Sequence, residues 1–138
     1  VIHLCGKGKM ADSLKSLKGY VQFEYIQNQL KDLFALTDIV ISRAGANAIC
    51  DLLALRKPNL LVTLYANARR GDQILTARSF EHHGFSVVLE EEDLSKDTLL
   101  NSIYKLYQHK NTYINAMKHS SQQDSINTII KLIEEAAH

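Results

Sequence analysis

The stretch SRAGANAICDLLALRKPNLLVTL, residues 42–64, contains the pattern that decides the fold. It continues a β-branched, apolar run, 38–44, which predicts a strand. No side chain larger than alanine stands between Arg43 and Asn47, and the apolar spacing over 46–56 predicts a helix. A second apolar run, 59–64, follows the only proline of the chain. The stretch therefore predicts a strand, a small-residue turn, a helix and a second strand in succession.

The same alternation runs through most of the chain. Apolar runs predict strands, and helical patterns lie between them: strands at 1–5, 20–25, 38–44, 59–64 and 86–91, and helices at 28–36, 46–56 and 71–83. Strands that are apolar at nearly every position predict a parallel sheet buried on both faces. With right-handed crossovers, the expected class is α/β, a doubly wound, Rossmann-like parallel sheet whose ligands bind beyond the carboxyl ends of the strands.

Helical patterns fill the chain after residue 91. Ser95 is predicted to cap the first helix, with Thr98 rather than Glu in the second position of the capping box. Four apolar residues of this helix are predicted to share one face: Leu99, Ile103, Leu106 and Tyr107. The segment 124–137 repeats the pattern with Ile126, Ile129, Ile130 and Ile133.

Length and composition indicate one globular domain. The chain has 138 residues, of which 46% are hydrophobic, and its net charge of +1 provides no general field for binding nucleic acid. No apolar run approaches the roughly 18 residues that span a bilayer. Cys5 and Cys50 form no CxxC pair and are expected to be reduced core thiols. Because the chain begins without Met on a strand-like run, we expect a fragment of a longer protein.

The turn after the third predicted strand is suited to an anion. A helix that starts near Ala46 presents bare amides and a positive dipole, and its small residues let a diphosphate approach the backbone. Asp51 follows five residues later. Its carboxylate either accepts hydrogen bonds from a ribose diol or is a surface acid favoured by the helix dipole.

Two other turns leave alternatives open. The turn CGKGK, 5–9, either brings glycine amides and two lysines to a phosphate or is an ordinary glycine turn with solvated lysines. Ile26 lies where the chain leaves the second strand. It either supports a planar base whose edge is read by backbone groups or stands beside an ordinary helix cap.

The fourth turn, 65–77, is long for such a fold, and long loops are often functional. Asp72 and Gln73 offer an acceptor and an amide to sugar hydroxyls. The adjacent Arg69 and Arg70 face either phosphate or solvent.

The sequence indicates no metal site, no cofactor and no covalent nucleophile. His82 and His83 point in different directions on a helix, and the acidic run 90–93 is expected to be a solvated turn. No D-x-D-like acidic pair ends a strand, and the motifs G-x-S-x-G and H-E-x-x-H are absent.

Two segments together resemble the MurG family of bacterial glycosyltransferases: DIVISRAGANAICDLLALRKPNLLV (38–62) and GDQILTARSFEHHGFSVVLEEEDLS (71–95). This family adds N-acetylglucosamine (GlcNAc) to lipid I to make lipid II in peptidoglycan synthesis. The first segment matches D-[IV]-V-[IV]-S-R-[AS]-G-[AS] with an acid five residues on, and Gln73–Ala77 matches Q-x-x-N-A except at Thr76. The resemblance covers essentially the whole chain but only the second half, or a little less, of such an enzyme.

The resemblance implies that residues 1–138 form the donor-binding, carboxyl-terminal domain of an inverting GT-B glycosyltransferase that uses UDP-GlcNAc. Eight residues fall at substrate-binding positions of the family: Ile26, Arg43, Ala44, Gly45, Ala46, Asp51, Asp72 and Gln73. Among them, Ile26 would lie against the uracil and Asp51 would bind the ribose hydroxyls in place of a glutamate. Asp72 and Gln73 would contact the GlcNAc hydroxyls, and the small-residue turn would hold the donor against the helix.

The resemblance also implies what this chain lacks. The first strand with its glycine-rich loop would lie outside this chain. So would an amino-terminal domain, which in the family binds lipid I, supplies the general base and associates peripherally with the cytoplasmic face of the membrane. The fragment itself is expected to be soluble, to hold no catalytic residue, and to bind donor weakly without turnover. Three positions depart from the family: Asp51 for glutamate, Thr63 for proline and Thr76 for asparagine.

Two alternative functions stay open at this point. The chain is similar in fold to the soluble catalytic subunit of the eukaryotic dolichol-linked GlcNAc transferase, which needs a membrane partner. The second alternative is a divergent, non-catalytic homologue that keeps the fold without the donor site, and the departures at Asp51, Thr63 and Thr76 keep it open.

Overall fold

A computed structural model describes residues 1–64 and 71–120, without the side chains of residues 71 and 72. The described chain separates into two compact units, Val1–Leu36 and a second unit that begins at Thr37. Both units combine parallel strands with helices, so the predicted α/β class with parallel β-structure is confirmed. The helix predicted over 124–137 lies outside the described residues.

The first unit contains a two-stranded parallel sheet. Its strands are β1 (Ile2–Leu4) and β2 (Val21–Phe23), and it ends with helix α1 (Leu30–Leu36). A single 3-10 turn, Asp12–Leu14, lies between the strands.

The strands of the first unit are not buried on both faces, so the prediction is wrong there. Four of their apolar side chains are more than a third exposed: Ile2, Leu4, Val21 and Phe23. The buried side chain is Gln22, whose amide group accepts a hydrogen bond from the Ala11 N–H and donates one to the Ala11 carbonyl, each at 3.0 Å. An apolar pattern predicts that a segment is a strand, but it does not specify which element covers the strand.

The second unit is built on a three-stranded parallel sheet. Its strands are β3 (Val40–Arg43), β4 (Asn59–Thr63) and β5 (Ser86–Glu90), in that spatial order. The helices are α2 (Ala46–Ala54) and α3 (Gly71–His82) between the strands, then α4 (Lys96–Gln108) and α5 (Lys110–Lys118). Because the strands are parallel, their carboxyl ends meet at one edge, where the predicted third and fourth turns begin.

One face of this sheet packs against α4. Leu60, Val87 and Leu89 of the strands form a hydrophobic cluster with Leu106 of α4. Leu61 points to the opposite face, since side chains alternate along a strand, and it is also fully buried. The central strand is therefore covered on both faces, as its continuous apolar run predicts.

The edge strand β3 is less covered than predicted. Ile41 is 48% exposed, and β3 is the edge strand of this sheet, paired with β4.

The predicted capping box fixes the start of α4. The Ser95 hydroxyl accepts a hydrogen bond from the Thr98 N–H at 3.1 Å, and the Thr98 hydroxyl accepts one from the Ser95 N–H at 2.8 Å. The two orphan amides are thus satisfied reciprocally, with Thr98 in the place that Glu or Gln usually takes.

The predicted apolar face of α4 is correct at three of its four positions. Leu99 and Ile103 pack against the cluster that contains Leu106, whereas Tyr107 is 52% exposed. One residue step rotates a helix by about 100°, which turns Tyr107 from the buried side towards solvent. Its ring lies beneath the Lys110 ammonium, with 4.7 Å between the nitrogen and the ring centroid.

Neither cysteine is buried, so the expectation of core thiols is wrong. Both are free, with Cys5 half-buried and Cys50 exposed on α2. Cys50 is one helical step from the buried Ile49 and faces solvent, which its apolar sequence neighbours did not indicate.

In residues 1–64 and 71–120, no helix has the length and apolarity needed to cross a membrane.

Candidate functional site

The turn between β3 and α2 is held by the sheet up to its last small residue. The Ala44 N–H donates a hydrogen bond of 3.3 Å to the Val62 carbonyl, and Ala44 is 2% exposed. The next amide, of Gly45, donates to the Arg43 carbonyl at 2.8 Å. Arg43 and Ala46 themselves are exposed. The turn is therefore fixed at its base and open above it.

Gly45 occupies the N-cap position of α2, and neither backbone conformation nor packing requires glycine there. Its φ of −81° and ψ of 139° are accessible to any residue, and a Cβ built on it meets no atom of the described residues within 4 Å. No side-chain hydrogen bond caps this helix start. Among the described residues, no side chain therefore caps the first-turn amides, and the positive end of the helix dipole lies behind them.

Helix α2 presents Asp51 on its exposed side. Ile49, Leu52 and Leu53 are buried and fix the helix against the protein, whereas Asp51 is exposed. Among the residues that the structure describes, the Asp51 carboxylate has no ion-pair partner. Because helical side chains tilt towards the N-terminus, this carboxylate leans towards the turn that carries Asn47. Helix α2 thus carries both a hydrogen-bond acceptor, the Asp51 carboxylate, and hydrogen-bond donors, the backbone amides of its first turn.

The glycine turn of the first unit has a different character. Gly6 and Gly8 have φ of +89° and +71°, so the backbone itself requires glycine there. The Gly8 N–H donates to the Glu24 carboxylate at 2.9 Å, and Lys7 and Lys9 are exposed. These contacts favour the interpretation of a glycine turn with solvated lysines.

Ile26 also belongs to the first unit. It is half-buried and precedes α1 by four residues, while the neighbouring Gln27 side chain donates to the Tyr25 hydroxyl at 3.2 Å. The proposed contact of Ile26 with a base stays a prediction.

The fourth turn is described only in part. Helix α3 begins at Gly71, so Asp72 and Gln73 lie in its first turn, and Gln73 is half-buried. The Asp72 side chain, Arg69 and Arg70 lie outside the described residues. The helix itself was predicted over 71–83 and ends at His82.

At the end of β5, a cationic side chain of α3 is paired with carboxylates of the same unit. Arg78 of α3 contacts the carboxylates of Glu81 and, at the end of β5, Glu90. The hydrogen bonds that the guanidinium donates to Glu81 and then to Glu90 raise the pKa of Arg78. In the described part of the chain, no three His, Cys, Asp or Glu side chains are grouped so that they could hold a metal ion.

From the sequence, Thr63 stands out only as a departure from the proline usual in the family, and it is not among the predicted site residues. In the structure, this last residue of β4 is 2% exposed and its hydroxyl has no hydrogen-bond partner among the described residues. A polar residue that ends an otherwise apolar strand is the only sequence signal that could have indicated it.

A strand-to-helix turn whose helix start has no side-chain cap can bind an anion, and an acid on the same helix can accept hydrogen bonds from hydroxyl groups. The family model of the glycosyltransferase family 28 C-terminal domain matches residues 1–133. The chain belongs to this glycosyltransferase family. The match covers both units and the turns that carry the candidate site.

Three curated relatives of this family 28 domain carry the same name. A UDP-N-acetylglucosamine--N-acetylmuramyl-(pentapeptide) pyrophosphoryl-undecaprenol N-acetylglucosamine transferase of Lachnospira eligens is 64% identical over 135 residues, which are 98% of this chain and 38% of that protein. The proteins of the same name from Lachnoclostridium phytofermentans and Clostridium perfringens are 61% identical over 135 residues (98% of this chain, 38% of that protein) and 55% identical over 138 residues (100% and 39%). The chain therefore spans about two fifths of the length of these relatives.

Proposed function

We propose that this chain is the donor-binding domain of an inverting glycosyltransferase that takes GlcNAc from UDP-GlcNAc and adds it to lipid I, forming lipid II. The observation that carries the proposal is the open N-cap at Gly45. Among the described residues, no side chain caps this helix start and none lies within 4 Å of a Cβ built on Gly45, which supports the approach of a ligand to the first-turn amides.

Each predicted binding residue has a role in this proposal. The turn formed by Arg43, Ala44, Gly45 and Ala46 receives the diphosphate, and Asp51 accepts hydrogen bonds from the ribose hydroxyls. Ile26 supports the uracil, and Asp72 and Gln73 bind the GlcNAc hydroxyls. The exposure of Asp51 and its lack of an ion-pair partner in the described chain support its part, because such a carboxylate is free to accept from a ligand.

The reaction is a direct displacement at the anomeric carbon. An acceptor hydroxyl oxygen forms the new bond to C1 of GlcNAc while the bond from C1 to the β-phosphate oxygen breaks, and UDP departs with the electron pair. The acceptor proton passes to a general base outside this chain. Backbone amides at the start of α2 stabilise the negative charge that grows on the leaving diphosphate.

The remaining functions of the enzyme belong to the part of the relatives that this chain does not cover. In this proposal, residues 1–138 act as one UDP-sugar-binding domain. Lipid I contacts and peripheral attachment to the cytoplasmic face of the bacterial membrane come from an amino-terminal domain. The near-neutral net charge of +1 supports a partner other than nucleic acid.

Calorimetric binding and a transfer assay test the proposal together. The full-length protein should bind UDP-GlcNAc more tightly than UDP-glucose, and should release UDP only when a lipid I analogue is added. Release of UDP without preference for GlcNAc, or no binding of either nucleotide sugar, would contradict it.

A further inference from the structure

The Thr63 side chain has a chemical requirement that the described residues do not meet. The residue is 2% exposed, and its Oγ1 is the only buried side-chain nitrogen or oxygen without a hydrogen-bond partner in residues 1–64 and 71–120. Burying a hydroxyl is unfavourable unless it forms a hydrogen bond, and such atoms are therefore rare in folded proteins. An unpartnered hydroxyl at this depth points to a partner that comes from elsewhere.

The pairing of the strands gives the position of Thr63. Arg43 pairs with Val62, so Thr63 stands beside Ala44, the residue directly before the N-cap Gly45. The hydroxyl therefore lies at the carboxyl edge of the sheet, next to the turn that leads into α2.

The face from which Thr63 projects is also defined. Thr63 pairs with Glu90, and paired residues of parallel strands project to the same face. The Glu90 carboxylate contacts Arg78 of α3, so this is the face that α3 covers. Right-handed crossovers put α2 on the same face as α3, with both helix starts at the edge where β4 ends. The Thr63 side chain is thus directed to the side of the sheet on which α2 begins.

The surroundings of this hydroxyl favour an anionic partner. Helix α2 has nine residues, and no side chain of the described residues caps its start, where the positive end of its dipole lies. The nearest carboxylate by register, that of Glu90, is neutralised by Arg78. A hydroxyl beside a helix start is a donor that complements backbone amides around a phosphate.

We propose that Thr63 is a further donor-binding residue, whose hydroxyl donates its hydrogen to an oxygen of the diphosphate held at the start of α2. The inference rests on the proposed function, since it assigns one more contact to the same nucleotide sugar. According to this inference, Thr63 contacts the diphosphate and does not contact the uridine part of the ligand.

The test compares two substitutions and two ligands on the full-length protein. Thr63→Val removes the hydroxyl at nearly constant shape, and Thr63→Ser keeps it. For Thr63→Val the dissociation constant of UDP should rise about tenfold, because a hydrogen bond to a charged group is lost. The dissociation constant of uridine should stay within twofold of the wild-type value, roughly the precision of such a comparison, and Thr63→Ser should bind UDP nearly as the wild type does.

Thermal unfolding without ligand separates this role from a structural one. If the hydroxyl has no protein partner, Thr63→Val leaves the melting temperature unchanged or raises it, because an unsatisfied buried group has been removed. A lower melting temperature with unchanged UDP affinity would assign the hydroxyl to a protein contact and overturn the inference. Equal losses for UDP and uridine would overturn it too. If the wild-type protein binds no UDP, the proposed function fails as well; if it binds UDP and Thr63→Val does also, only this inference fails.

Discussion

The Ala44 N–H donates a hydrogen bond of 3.3 Å to the carbonyl oxygen of Val62, so β4 holds the chain one residue before the N-cap of α2. The relationship explains how a turn of very small residues can be both rigid and open. Sheet pairing fixes its base, and no described residue lies within 4 Å of a Cβ built on Gly45. A preformed anion site needs both properties, because ordering a mobile loop would oppose binding.

Substitution of Gly45 should affect the ligand far more than the fold. Gly45→Ala fits the observed backbone and meets no neighbour, so the free energy of unfolding should change by less than about 1 kcal/mol. The added methyl group lies where the donor approaches the backbone, so the dissociation constant of UDP-GlcNAc should rise about tenfold, and more for Gly45→Val. Isothermal titration calorimetry and chemical denaturation measure the two quantities.

Ala54→Val is the matched control for the Gly45 series. It adds bulk at an exposed position at the other end of α2 and should leave the affinity unchanged. Equal effects of Ala54→Val and Gly45→Val on UDP-GlcNAc binding would show that the helix as a whole, and not its start, is responsible.

Asp51 should confer preference for ribose over deoxyribose. Asp51→Ala removes an exposed carboxylate without an ion-pair partner in the described chain, so stability should change by no more than about 0.5 kcal/mol. The wild-type protein should bind UDP more tightly than 2′-deoxy-UDP, and Asp51→Ala should bind both alike, with UDP affinity reduced about tenfold. Asp51→Glu should retain the preference, because it restores the side-chain length usual in the family.

Asp97→Ala, an exposed acid in the first turn of α4, provides the control for Asp51. It should not alter the ratio of the two nucleotide affinities. A surface role for Asp51 would be indicated if its substitution changed that ratio as little as Asp97→Ala does.

Stability should fall at alkaline pH partly through Tyr113. Burial, and then the charge of Glu81, raise the pKa of Tyr113 above its ordinary value of about 10. The folded protein therefore holds the phenolic proton more tightly than the unfolded chain does. The resulting contribution to stability is complete below the unfolded pKa and is lost as the pH rises through the folded pKa.

Tyr113→Phe tests this dependence directly. Urea denaturation should give nearly equal stability for the variant and the wild type near neutral pH, and a smaller loss for the variant above pH of about 10. Tyr104→Phe, at a ring that is 69% exposed, serves as the control for removal of a phenol. Parallel pH profiles of Tyr113→Phe and the wild type would refute a role for Tyr113.

The capping box of α4 should be measurable as stability. Ser95→Ala removes the acceptor of the Thr98 N–H and should lower the free energy of unfolding by about 1 kcal/mol. Ser95→Gly should lower it by only about a few tenths of a kcal/mol. Thr112→Ala, at an exposed position of α5, is a suitable comparison. If the Ser95 and Thr112 substitutions had the same effect, the cap would not contribute.

Local patterns predicted the second unit well. The strand predicted over 86–91 is Ser86–Glu90, and the helix predicted over 71–83 ends at His82, before Gly84 with its φ of +73°. The cap at Ser95 was also readable, because it depends on residues three apart. These features follow from interactions within one element or between neighbours in sequence.

Burial and hydrogen-bond satisfaction were not readable in the same way. The exposure of Cys50 and Tyr107 depends on which side of a helix meets the sheet, and the exposure of β1 depends on what covers it. The Thr63 hydroxyl is distinctive only because nothing in the described chain pairs with it, which a sequence does not reveal. The residue pattern indicated the turn before α2, Ile26, Asp51, Asp72 and Gln73 as candidates, and the family resemblance gave them roles; their individual contacts stay predictions.

Titration with UDP-GlcNAc, followed by amide chemical shifts in NMR spectra, tests the central claim most directly. We expect the largest shifts at Gly45–Asp51 and at Gln73, with smaller shifts at Ile26, and a weaker response to UDP-glucose at equal concentration. Saturable binding whose shifts leave Gly45–Asp51 unchanged would place the nucleotide sugar elsewhere and contradict the proposal that the start of α2 holds the donor.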